Sequence, residues 1–231
     1  ALLALAVSGY FLYSSLRPAE PAAAQATQAD QPEETASGSR EVPAESAKAS
    51  DDQASEYFSQ GKKHQEQAYL LASTGARNES LEENRKAIDQ YRQAVALRPK
   101  FPEARENLGV ALYNTGQLEA AIDQYRVAID QYIELYSKPT DKVYTNYALA
   151  LFDLRRYREA ADAFGRALEL DPRDYDLHAY RGFALQNAGD EAEAKLAYQR
   201  YLKEAPSGQY AGVVRKILAG RASPPVDTGN N

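Results

Sequence analysis

The chain is predicted to be all-α, a stack of helix–turn–helix units. Two observations carry that prediction. The run Ala-Ile-Asp-Gln-Tyr-Arg-x-Ala occurs at residues 87–94 and again at 121–128, 34 residues later. The same spacing separates Ala160 from Ala194, Phe164 from Tyr198, Pro172 from Pro206 and Ala148 from Gly182. A fixed period of this length marks units that cannot bury an apolar face alone and must stack to do so.

Residues 1–16 are almost wholly apolar, with Tyr10, Phe11 and Tyr13 near their end. They are expected to form a transmembrane anchor, aromatic-belted on one side and extending upstream of Ala1, since a span needs about 20 residues. The rival is a cleaved signal peptide, with an A-x-A site at Ala24-Gln25-Ala26, but Arg17, Pro18, Glu20 and Pro21 intervene. Arg17 is the only basic residue in the following twenty or so, which favours an array on the extracytoplasmic, periplasmic side of a single-pass protein. A secreted or periplasmic soluble protein is the alternative.

Residues 17–53 are rich in Ala, Pro, Glu, Ser and Gln and nearly free of large apolar side chains. Such a segment cannot bury enough surface to offset chain entropy and is expected to be a disordered linker, with a root-mean-square reach of roughly 30–40 Å. Residues 1–56 hold 3 of the 27 basic and 9 of the 33 acidic residues, leaving 24 of each sign for the rest. A neutral array with no basic stripe argues against nucleic acid as a partner. Cysteine is absent, which excludes disulfides and thiol catalysis.

The array is expected over residues 54–206. A long first helix, about residues 54–73, carries Ala54, Tyr57, Phe58, Gly61, Ala68, Leu71 and Ala72 on one face and ends at Gly75. Ser80-x-x-Glu83 reads as the capping box of the next helix. From Gly61 to Ala87 is 26 residues against 12 from Gly109 to Ala121, so this hairpin should be longer by about two turns in each helix. Ala121 to Ala160 is 39, five above the period, and the surplus should lengthen the second helix of the next unit to about Ser137. Beyond Pro206, residues 207–220 should form a capping helix presenting Val213, Val214, Ile217 and Leu218. Residues 221–231 read as a loose tail.

The units resemble tetratricopeptide repeats. Leu108-Gly109, Gly116, Ala121, Tyr125 and Ala128 follow that family's pattern. So do Tyr147-Ala148, Leu151, Ala160, Phe164, Ala167 and Pro172, and then Arg181-Gly182, Leu185, Gly189, Ala194, Tyr198 and Pro206. The early aromatic of each first helix is only partly kept: Tyr144 supplies it once, while Arg105 and His178 stand at the equivalent places.

The resemblance implies that first helices line a concave face where extended segments bind. Register gives three rows there: Val110, Leu149 and Phe183; Tyr113, Phe152 and Gln186; and Asn107, Asn146 and Tyr180. Such a groove should take an apolar or helical segment. Some members grip a C-terminal carboxylate with Lys, Asn and Arg side chains. Asn107 and Lys142 match two of those five positions, whereas Phe58, Lys62 and Asn146 depart from the other three. A second surface is expected where Leu118, Ile122, Tyr125, Ile129, Ile133 and Tyr136 form a stripe whose end, with Tyr132, outruns its hairpin.

Little points to chemistry. His64 and His178 are far apart, Gly61-Lys62 lacks the rest of a phosphate loop, and the carboxylates lie among Lys and Arg. No catalytic, metal or cofactor site is expected, and His178 reads as packing between helices. The sequence thus predicts a membrane-tethered adaptor or assembly factor that holds a protein partner. This layout resembles membrane-anchored tetratricopeptide proteins of bacterial envelopes. The alternative is a scaffold that acts by self-association.

Overall fold

A computed structural model describes residues 44–225, and the expected anchor and most of the linker lie outside them. The described residues form nine α-helices: α1 Ala44–Ser73, α2 Arg77–Leu97, α3 Pro102–Asn114, α4 Leu118–Tyr136, α5 Asp141–Asp153, α6 Tyr157–Leu170, α7 Asp176–Asn187, α8 Glu191–Glu204 and α9 Ala211–Leu218. They pair as four hairpins and a cap. Each helix packs on its chain neighbours, and α1 also meets α3 as α3 meets α5. None of these helices is long and apolar enough to cross a membrane.

The repeat residues do what their sizes dictate. Ala87, Ala94, Ala121, Ala128, Ala160 and Ala167 are fully buried, and with them Tyr91, Tyr125 and Phe164. Small residues let helices approach, and each aromatic fills the remaining gap. Pro102 opens α3, where its missing N–H costs nothing. Gly75, Gly116 and Gly189 make three of the four hairpin turns at φ of +84°, +78° and +87°. At the fourth, Arg155 takes the left-handed conformation, φ +61°.

The first hairpin is longer than the others, as its spacing requires, but α1 begins at Ala44, ten residues before Ala54. That early turn is tied to the end of α2. Arg98 reaches the Asp51 carboxylate (3.0 Å), the Asp51 carbonyl (2.7 Å) and the Ser55 hydroxyl (2.9 Å), so the linker's last residues are ordered by long-range contacts invisible to composition. The capping box at Ser80 is corrected too. Helix α2 starts at Arg77, the Ser80 hydroxyl donates to the Ala68 carbonyl at 2.8 Å, and Glu83 pairs with His64 at 2.7 Å. Lys86 and then His64 hold the Glu83 carboxyl below its ordinary range.

Helix α4 ends at Tyr136, with Ser137 in the left-handed region at φ +66°, close to the expected end. In α9, Val214 and Ile217 are buried while Leu218 is over a third exposed, so Leu218 is not part of the sealing face.

Candidate partner-binding face

The face begins with α3, α5 and α7, the first helices of the second, third and fourth hairpins. Neighbours on it are tied by a hydrogen bond from the Tyr113 hydroxyl on α3 to the Asp153 carboxylate at the end of α5. Asn187 stands 34 residues after Asp153, in the same register on α7. Sequence reasoning passed over Asp153 and Asn187, although two polar residues one period apart were a readable signal.

The three rows divide by burial. Tyr113, Gln186 and Asn107 are half-buried, as is Lys142, which stands outside the rows. Asn107 donates to the Glu103 carbonyl at 2.7 Å, and Gln186 accepts from the Tyr198 hydroxyl at 2.8 Å. Val110, Leu149, Phe152 and Asn146 are buried, each less than 5% exposed, so they present almost no surface. Phe152 sets its ring edge-on to Tyr157, with centroids 5.2 Å apart. Tyr180 and Phe183 need a correction. Tyr180 stacks on Phe164 at 5.5 Å, and the ring of Tyr210 covers Tyr180 at 5.2 Å and Phe183 at 5.7 Å. The Tyr180 and Tyr210 hydroxyls share a hydrogen bond of 2.5 Å. These two residues are therefore the seam under the cap, because α9 takes the place of a further first helix.

One carboxyl on α3 is electrostatically unusual. Glu106 accepts a hydrogen bond from Tyr132 of α4 at 2.8 Å. Desolvation nevertheless pushes its carboxyl up to about 7, aided by nearby Glu103 and Asp141 and opposed by the Tyr132 bond and Lys142. Burial and the Glu106 charge raise the hydroxyls of Tyr125 and Tyr132 above their ordinary range. This bond also corrects the expected second surface. Tyr132 is 5% exposed and belongs to the core, whereas Ile133 and Tyr136 are about half exposed, with Leu135 between them at 42%. A helix whose stripe drifts around its axis buries one member of the cluster and leaves the others outside.

His178, half-buried on α7, has its imidazole pushed below the ordinary range by burial, then by Arg200 and Arg181, which suits a packing residue. Among the described residues no three His, Cys, Asp or Glu side chains gather as metal ligands. What the face offers is amide, hydroxyl and ammonium groups set between small apolar contacts. That is a chemistry for holding chain segments.

Residues 79–134, 141–174 and 180–208 each match the tetratricopeptide repeat family, so this stretch of the chain is a tetratricopeptide repeat array. A curated relative, the small glutamine-rich tetratricopeptide repeat-containing protein 2 of Mycosarcoma maydis, is 30% identical over 105 residues, covering 46% of this chain. The match spans only 28% of that protein's length. Among solved structures, YrrB, described as a tetratricopeptide protein with an unusual peptide-binding site, aligns with a TM-score of 0.51 and 20% identity over 68% of this chain and 77% of its own. MamA from Desulfovibrio magneticus RS-1 aligns with a TM-score of 0.53 and 14% identity, over 70% of this chain and 86% of its own. At these identities the likeness is one of fold.

Proposed function

We propose that this protein is a membrane-tethered adaptor that holds a protein partner on the first-helix face of its array. The observation that carries the reading is the arrangement of half-buried Asn107, Tyr113, Lys142, Gln186 and Asn187 along three successive first helices. Peptide binding by YrrB is a property of that protein, but it is the kind of activity this fold can support. Side-chain amides and an ammonium group recognise backbone carbonyls and carboxylates. The apolar run at residues 1–16 would fix the array to a membrane, with the array on the extracytoplasmic side.

Capture from native membranes tests both halves. The intact protein should fractionate with membranes and resist alkaline extraction. It should enrich a defined set of proteins that a Tyr113→Ser, Lys142→Ala variant loses while keeping its fold. Recovery in the soluble fraction overturns the tether, and identical capture by the variant overturns the face.

A second reading has its own observation. Ile133 and Tyr136, three residues apart and so on one side of the helix, stand exposed at the C-terminal end of α4, with Leu135 exposed nearby. Exposed apolar clusters of this kind mark interfaces. We infer that a second copy of the chain covers this end, which would make the protein a self-associating scaffold as well as an adaptor.

A further inference from the structure

Helix α9 ends at Leu218, Gly220 follows in the left-handed region at φ +68°, and the Arg221 N–H closes the turn on the Lys216 carbonyl at 2.8 Å. The chain then leaves without helical structure and turns back onto the array. Ala222 packs against the main core, and Pro224 and Pro225 are half-buried while Ser223 is exposed. The Pro225 carbonyl accepts a hydrogen bond from Asn187 Nδ2 at 2.9 Å. The same amide nitrogen donates to the Phe183 carbonyl at 2.8 Å, which fixes its direction. The expected loose tail is therefore docked through residues 222–225.

Two features make this contact more than incidental packing. Asn187 holds the register of Asp153, whose carboxylate takes the Tyr113 hydroxyl across to the preceding first helix. The amide thus stands at the register position that, one hairpin earlier, ties neighbouring first helices. The docked segment, Ala-Ser-Pro-Pro, is stiff: proline fixes φ and has no N–H, so an extended conformation loses little entropy and leaves carbonyls free to be grasped.

We propose that residues 222–225 are a ligand in cis for the α7 end of the first-helix face, and that an extended partner segment reaching α7 must displace them. The displacement rests on the adaptor reading above, whereas the docking of the tail stands apart from it. The tail is tethered directly to α9, so its effective concentration is in the millimolar range and a weak contact suffices to keep it in place.

The chain has no cysteine, so a single Ser223→Cys substitution in the full chain accepts a nitroxide label at an exposed position beside the contact. Its electron paramagnetic resonance spectrum should be dominated by a slow component. Adding Asn187→Ala should shorten the correlation time roughly threefold or more, the behaviour of a free terminus, with circular dichroism and melting unchanged. Equal spectra in the two proteins, whether both slow or both fast, overturn the docking. A synthetic peptide of residues 221–231 at roughly ten millimolar should release the label in the Ser223→Cys protein by competing with the cis segment. A label that stays slow in that peptide overturns the claim that the segment is a displaceable ligand. Neither arm measures partner capture, so a failed adaptor reading leaves both results interpretable.

Discussion

Gly109 lies flat against the ring of Tyr125: a Cβ built on Gly109 would sit 2.6 Å from the ring's Cε1 and 2.8 Å from Cδ1. Gly61 with Tyr91 and Gly182 with Tyr198 repeat the relationship at 2.5 and 2.4 Å, while the third hairpin uses Ala148. Alanine in a helix interior gains about 1 kcal/mol over glycine. Overpacking a rigid core costs roughly 1–3 kcal/mol, and the Tyr125 ring is fully buried. Gly109→Ala is therefore expected to lower stability by about 1 kcal/mol net. Gly165→Ala is the control, because its nearest neighbour is Arg181 Nε at 3.8 Å. It should raise stability by about 1 kcal/mol in the same denaturant titration.

Arg155 adopts φ +61° at the turn where the other three hairpins use glycine. A left-handed L-residue carries roughly 1–2 kcal/mol of strain, offset in part by glycine's greater unfolded freedom. Arg155→Gly should stabilise the chain by about 0.5–1 kcal/mol and raise the melting temperature. An unchanged or lower value would show that the Arg155 side chain makes contacts worth more than the strain.

Tyr113 and Phe152 share a register in the repeat and differ in environment. Phe152 is 3% exposed, so Phe152→Ser should cost about 4 kcal/mol or more through cavity formation and a stranded hydroxyl. Tyr113 is half-buried, and Tyr113→Ser should cost roughly half as much. Thermal melts of the two variants separate core from face. Equal losses would place Tyr113 in the core as well.

Repeat period told most of the fold, because the buried Ala, Gly and aromatic positions recur with the spacing that packing imposes. The hairpin lengths followed from counting between Gly61, Ala87, Gly109, Ala121 and Ala160. The start of α1 did not, since Arg98 orders Asp51 and Ser55 from 47 and 43 residues away and local composition carries no trace of that. Register placed Tyr113 and Asn107 on the first-helix face, yet it could not say that the cap would bury Tyr180 and Phe183. That burial depends on Tyr210, which falls outside the repeat. The one-period spacing of Asp153 and Asn187 was there to be read, but the contact of Asn187 was not, because its partner is the backbone carbonyl of Pro225 and a carbonyl has no signature in sequence.

Glu106 makes stability depend on pH. Its carboxyl is raised in the folded state to about 7, chiefly by desolvation, while an unfolded glutamate titrates near 4.5. Below the lower value both states are protonated and the group's stabilising share is fully present. As pH rises to 7 the unfolded state ionises first, and that share is lost. The loss should be on the order of 2 kcal/mol after allowance for its partial exposure to solvent. Glu106→Gln keeps an acceptor for Tyr132 and removes the charge. Its stability relative to the parent should therefore climb between pH 5 and 8. A flat difference across that range would show that the carboxyl is better solvated than its surroundings suggest.

The exposed end of α4 makes the last prediction. Tyr132 is held inward by Glu106, and its ring lies 6.0 Å from that of Tyr136, which is left 56% exposed beside Ile133 and Leu135. Lys100, in the loop between α2 and α3, pairs with Glu134 of α4, so the exposed apolar side chains have a charged border on that side. A border of that kind suits a self-complementary contact, in which each copy's apolar centre covers the other's. An Ile133→Ser, Tyr136→Ser double variant removes the centre and spares Tyr132. In analytical ultracentrifugation the parent should sediment as a concentration-dependent dimer at tens of micromolar, roughly the range a small interface supports, and the double variant as a monomer. Both residues are exposed, so the melting temperature of the isolated chain should change little. A parent that stays monomeric across that range would eliminate the second copy as the occupant. A variant that stays monomeric but melts many degrees lower would show that the chain itself already covers this end.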